Sequence, residues 1–180
     1  GYDLCARRYR GEDIDLSTWR AAGIGGDMVQ KSILETFADT FAQAGFDASS
    51  FVASYGLAEA TLAVSFAPLG EGLRSDRVDA VALRFDDEVR CAPTDCPPEK
   101  VRNFVLCGKP IPGHDVRICS ARGEYLDERK IGRIEVRGPS IAAGRYRAGT
   151  GVTSLTDEHG WFNTGDLGYW LDGQLVVTGR

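Results

Sequence analysis

The sequence predicts an α/β layer followed by an antiparallel, barrel-like β subdomain. Three features carry this reading: a stretch with helical hydrophobic spacing between runs suited to strands, a second half broken into short apolar runs by turn residues, and an Asp172-Gly173 pair joining the last two runs. Gly supplies 22 of the 180 residues, about 12% where about 7% is usual, which fits many tight turns. A chain of this length buries roughly 70% of the surface its unfolded form exposes, enough for a sizeable core.

In chain order, "LSTWRAAGIGGD" ends an apolar stretch in a glycine turn. "MVQKSILETFADTFAQAG" then places Val29, Ile33, Leu34, Phe37 and Phe41 at helical spacing, which predicts an amphipathic helix. Asp27 is positioned to cap that helix, with Gln30 as the capping-box partner and Gly45 as its stop. "FVASYG" is the following strand, and a strand, helix, strand order implies parallel pairing. Residues 66–100 carry Pro, Gly and charge, yet Val81, Leu83 and Phe85 alternate with smaller or charged neighbours, as in an ordered hairpin. Beyond them "RNFVLCG", "HDVRICS", "GRIEVRG", "WFNTGDLGYWL" and "QLVVTG" read as antiparallel strands.

Charge and composition exclude several function classes. Lys plus Arg number 21 against 26 Asp plus Glu, a net charge of −5 with neither sign gathered in a long run, so neither nucleic acid nor an anionic membrane is favoured. No apolar run is long enough to span a bilayer. The five cysteines are odd in number, include no C-x-x-C, and lack a His pair at zinc spacing; they read as reduced thiols, and a cytoplasmic location is expected. The chain opens on "GYDLCARR" and closes on "LVVTGR" inside a strand pattern, which suggests a piece of a larger protein.

Three stretches invite a chemical reading. "GIGGDM" has the first two glycines of a dinucleotide fingerprint, Gly23 and Gly25, but Met28 holds the third position, where close helix packing needs Gly or Ala. The glycines still let a flat ligand approach the backbone. In "SYGLAEAT" an aromatic, Tyr55, ends a strand and Glu59 follows in the next turn of chain; such strand ends bind ligands, an aromatic there can stack on a base, and a carboxylate offers hard oxygen to Mg²⁺. Alone, Tyr55 reads as a core residue and Glu59 as a solvated acid at a helix start. In "GWFNTGDLG" Asp166 lies between Gly165 and Gly168, and by itself it reads as a turn acid.

Taken together, "YGLAEAT", "GKPIPGHDVRI", "IGRIEVRGPSIAAG", "GWFNTGDLG" and "LVVTGR" occur in the order and spacing of adenylate-forming enzymes. The chain most closely resembles their fatty acyl-AMP ligase branch, through "YDLCARR", Ala58, and "VDAVALRFDDEVRCAP" ahead of "VLCGKPIPG". The likeness covers nearly all 180 residues. It implies part of a large N-terminal domain: residues 1–65 ending an α/β subdomain, 66–104 a ligase-type insertion, and 105–180 a distorted β-barrel leading to the hinge of a further C-terminal domain.

The resemblance also implies roles. Asp166 accepts hydrogen bonds from the ribose of ATP, Arg180 lies beside the same sugar and phosphates, and Tyr55, followed by Gly56, stacks on adenine. Gly25, Gly26 and Asp27 face the base, Ile24 lines the acyl side, and Glu59 is the catalytic magnesium ligand. The implied reaction is attack of a fatty acid carboxylate on the α-phosphorus of ATP, with Mg²⁺, followed by transfer to the thiol of an acyl carrier protein or a carrier domain of a polyketide or nonribosomal synthase. An ordinary acyl-CoA synthetase and a non-catalytic scaffold are the alternatives. No Gly/Ser/Thr-rich phosphate loop is seen, Lys31, Lys100, Lys109 and Lys130 do not match the catalytic lysine, and Arg145 separates Gly144 from Tyr146 in a motif often read Gly-Tyr.

Overall fold

In the computed structural model, which describes residues 1–11 and 13–180, helix α1 (Tyr2–Arg8) and helix α2 (Lys31–Phe41) pack on a small sheet. Leu34, Phe37 and Phe41 form the buried stripe of α2, as their i, i+3, i+7 spacing requires. Phe37 meets Tyr2 and Phe46 edge-on, with ring centroids 4.9 and 5.0 Å away. Each such side chain contributes roughly 1.5–3 kcal/mol on burial, so this aromatic cluster suffices to seat a helix of modest length.

The start of α2 differs from the sequence expectation. Gln30 is the N-cap, with extended backbone and no side-chain cap, while the Asp27 carboxylate accepts the N–H of its neighbour Met28 at 2.7 Å. Residues 25–29 are therefore a loop and Asp27 is not a cap. Gly45 does act at the far end, where it takes φ +81° after a 3₁₀ turn, Ala42–Ala44.

Strand β1 (Ala22–Ile24) pairs in parallel with β2 (Phe51–Tyr55), as the strand, helix, strand order implies. β3 (Ser65–Phe66) and β6 (Lys109–Pro110) extend this sheet antiparallel, between which lie β4 (Ser75–Asp79) and β5 (Val101–Val105), an antiparallel pair of their own. β7 (Asp115–Cys119), β8 (Gly132–Arg137), β11 (Phe162–Leu171) and β12 (Gln174–Gly179) form an antiparallel sheet in the order β12-β11-β8-β7, and β9 (Gly144–Arg147) with β10 (Gly151–Ser154) forms a separate ribbon. Asp172 and Gly173 turn β11 into β12 with φ of +51° and +67°, the doubly left-handed geometry of a two-residue hairpin.

The regular ladders leave the β half open, but isolated bridges carry it round. Leu106 pairs with Val176, Val78 with Cys91, and Glu88 with Lys130, while the N–H of Arg129 reaches the Trp170 carbonyl at 2.9 Å. The circuit thus runs from β5 through β4, residues 86–92 and 129–131, β11 and β12 back to residue 106. Its shared core is Val78, Val89, Phe104, Leu106, Ile131, Tyr169 and Val176. That is the barrel-like element, and residues 75–105 supply part of its wall. The alternating "VALRF" is not a strand: it lies in the connection after β4, where Leu83 packs on this core while Val81 and Phe85 are exposed. Pattern alone misplaces it because the strand β4 itself, "SDRVD", is mostly polar.

Candidate functional site

Asp166 is in no turn. It lies inside β11, at a bulge where the pairing with β8 shifts register between Asn163 and Leu167 and Gly165 takes φ +76°. Bulges re-aim side chains, and the ladder groups they free need partners. Thr164 provides them: its hydroxyl donates to the Ile134 carbonyl at 2.9 Å and accepts the Asp166 N–H at 3.1 Å, while Asn163 Oδ1 accepts the Gly165 N–H at 3.0 Å. The side chain that results is only 10% exposed.

Both of its oxygens are held. The Tyr55 hydroxyl donates to Oδ2 at 2.7 Å across 111 residues of sequence, and Arg180 Nε donates to Oδ1 at 2.6 Å. Burial first, with the Asp166 carboxylate adding to it, pushes the Tyr55 phenol well above its ordinary value, so Tyr55 stays a donor. A carboxylate has about four acceptor positions, so Asp166 retains capacity for further donors.

These groups face a cavity of about 410 Å³ lined by Gly26, Asp27, Met28, Val29, Ser54, Tyr55, Gly56, Val105, Cys107, Asp166, Val177, Gly179 and Arg180. The structure therefore brings together six residues singled out in the sequence: Gly26, Asp27, Tyr55, Gly56, Asp166 and Arg180. Gly25 stands just behind them, where a Cβ would meet Ser54 Oγ at 2.5 Å. Gly56 is needed for close approach, because a Cβ there would fall on the Leu62 carbonyl. Ile24 does not line the cavity; it packs against the helical core and its carbonyl accepts the Ser54 hydroxyl at 3.0 Å.

Ser54, Val105, Cys107 and Val177 escaped the sequence reading, since Ser54, Val105 and Val177 are ordinary strand residues and Cys107 an ordinary residue of the β5–β6 connection until the two halves meet. Cys107 is buried, and burial pushes its thiol up to about 12. At pH 8 the folded chain is thus expected to resist alkylation by iodoacetamide at Cys107 while the exposed Cys5 and Cys91 react, as mass spectrometry of the quenched protein will read out.

Glu59 lies beside the cavity rather than in its lining, on the 3₁₀ turn Ala58–Ala60. That turn runs into Thr61 and Leu62, both left-handed at φ +52° and +74°, and is stitched to residues 140–142. Ala142 N–H reaches the Glu59 carbonyl at 2.8 Å, and Ser140 Oγ reaches the Ala60 carbonyl at 2.9 Å. His114 bonds Ser140 Oγ through Nε2 at 2.7 Å. The Glu59 carboxylate itself accepts from Arg145 at 3.3 Å. Among the described residues no three His, Cys, Asp or Glu side chains are gathered to hold a metal. A single accessible carboxylate nevertheless fits Mg²⁺, which is commonly held by one or two carboxylates together with substrate phosphates.

Comparison with known proteins places this geometry among relatives. The family model described as AMP-binding enzyme matches residues 2–146. A Caulobacter vibrioides protein provisionally named an acyl-CoA synthetase is 43% identical over all of this chain, and a medium-chain fatty acid ligase for acyl carrier protein, JamA of Moorena producens, is 36% identical over 99% of it. A structure from a study of fatty acyl-adenylate ligases of E. coli and L. pneumophila superposes with a TM-score of 0.85 at 38% identity, covering 99% of this chain. The chain spans 32% of the length of each of these three proteins.

Proposed function

Because this chain belongs to the AMP-binding enzyme family, we propose that it is the nucleotide-binding portion of a fatty acyl-AMP ligase. The observation that carries the reading is the buried Asp166 carboxylate, aimed by a bulge and a tyrosine at a cavity of about 410 Å³. A base entering that cavity meets the Tyr55 ring and the backbone of Gly25, Gly26 and Asp27. Asp166 accepts from the ribose hydroxyls, Arg180 stands beside sugar and phosphates, and Gly56 lines the same cavity.

In the reaction proposed for the whole protein, a fatty acid carboxylate oxygen bonds to the α-phosphorus of ATP and the bond to pyrophosphate breaks, giving acyl-AMP. Glu59 would hold Mg²⁺, which when bound supplies neutralisation of phosphate charge. This chain's own contribution is to fix the nucleotide so that the attacking oxygen and the leaving group stay in line.

The thiol of an acyl carrier protein is the proposed acceptor of the acyl group. The resemblance to the acyl-AMP ligase branch supports it, as does the name of the Moorena relative. Residues 66–104 are then the ligase-type insertion, which shares the barrel-like core through Val78, Val89 and Phe104, with Leu83 packed against it. The name of the Caulobacter relative favours a second reading, in which CoA is the acceptor.

Pyrophosphate exchange by the full-length protein, across fatty acids of graded length, tests the first step. Chain-length-dependent exchange is expected, and none from residues 1–180 alone; its absence from the full-length protein would remove the ligase reading. Supplying CoA and a phosphopantetheinylated carrier as rival acceptors tests the second step. Carrier acylation with little acyl-CoA is expected, and efficient acyl-CoA formation would establish the second reading instead.

A further inference from the structure

We propose that Arg145 is a placeholder cation for Glu59, holding its carboxylate until a divalent cation arriving with the nucleotide displaces it. This rests on the reading of Glu59 as a magnesium ligand. Arg145 Nη2 lies 3.3 Å from Glu59 Oε1, although 86 residues separate the two in sequence. The pair follows from how both residues are mounted. Glu59 sits on a turn whose carbonyl is held by Ala142, only three residues before Arg145, and Arg145 lies in β9, fixed opposite Thr153 of β10. Carboxylate and guanidinium therefore share one anchor, and a change of side-chain torsion is enough to part them.

Electrostatics make the arrangement exchangeable. The Arg145 side chain is 52% exposed and that of Glu59 31%, so the pair is screened by water and salt. Mg²⁺ needs direct coordination by oxygen and carries twice the charge, and it arrives already bound to phosphates, so it can win the carboxylate oxygen from a guanidinium. Asp166 shows the same pattern, with Arg180 on Oδ1. Each carboxylate assigned to ATP thus has an arginine partner.

The test is equilibrium binding of fluorescent α,β-methylene ATP to the full-length protein as MgCl₂ is titrated. Arg145→Gln is expected to lower the Mg²⁺ concentration for half-maximal binding about two- to fivefold, the size of effect exposed ion pairs exert. Glu59→Gln is expected to raise that concentration, and adding Arg145→Gln to it should have no further effect. If Arg145→Gln leaves the midpoint unchanged or raises it while Glu59→Gln still raises it, the placeholder role is overturned and the magnesium role of Glu59 survives. If Glu59→Gln does not move the midpoint, both fall.

Discussion

Replacing Asp166 by alanine in the full-length protein is expected to weaken ATP binding or adenylation about a hundredfold. Under the proposed function the carboxylate accepts from two ribose hydroxyls, and a hydrogen bond to a charged group contributes roughly 1.5–3 kcal/mol, so losing both costs about 3 kcal/mol or more. At about 1.4 kcal/mol per factor of ten, that is two orders of magnitude. The structure adds a second consequence. Asp166 is the acceptor for the buried Tyr55 hydroxyl, and leaving that donor unpaired costs about 1–3 kcal/mol of stability. Tyr55→Phe separates the two effects, because it deletes the donor and keeps the carboxylate; a loss of nucleotide affinity of only a few-fold is expected there. Calorimetric titration with ATP, beside a denaturation curve for each variant, reads both quantities. A loss of less than about threefold for Asp166→Ala would reduce Asp166 to a structural member of the bulge.

The largest stability loss is expected at Asp76→Ala, outside the lining of the cavity. Asp76 is 6% exposed in β4, accepts from the Tyr169 hydroxyl at 2.8 Å, and accepts from Arg129 through both oxygens at 3.2 Å. Burial first, then the Asp76 carboxylate, pushes the Tyr169 phenol above its ordinary value, so it remains a donor. The three residues come from β4, the approach to β8, and β11, so the network ties three parts of the barrel-like wall together. Removing one partner of a buried charged pair costs 3–5 kcal/mol when the other stays buried, but the Arg129 side chain is 27% exposed and can recover part of this from water. A loss of about 3 kcal/mol in urea unfolding is therefore expected, against about 1 kcal/mol for Tyr169→Phe. An Asp76→Ala loss below 1 kcal/mol would show that the apolar core alone holds the wall.

What the sequence determined by itself is local. The parallel pairing of the strands and the Asp172-Gly173 hairpin follow from periodicities and turn preferences spanning a few residues, and of the expected stripe of α2 the structure keeps Leu34, Phe37 and Phe41, while Val29 precedes the helix and Ile33 is only partly buried. Tyr55, Gly56 and Asp166 were also legible, because short motifs in a fixed order point to one family. Tertiary structure decided the rest. Asp27 could have capped a helix by local rules, yet it lies in the loop lining the cavity, since α2 begins only at Lys31. Asp166 looked like a turn acid between glycines, and only the register of β11 against β8 makes it a bulge residue aimed inward. The polar pairs Tyr55 with Asp166 and Arg145 with Glu59 lie 111 and 86 residues apart. Such contacts arise when sheet register and loop anchoring bring distant segments within hydrogen-bond reach, a geometry that nearest-neighbour preferences along the chain do not encode.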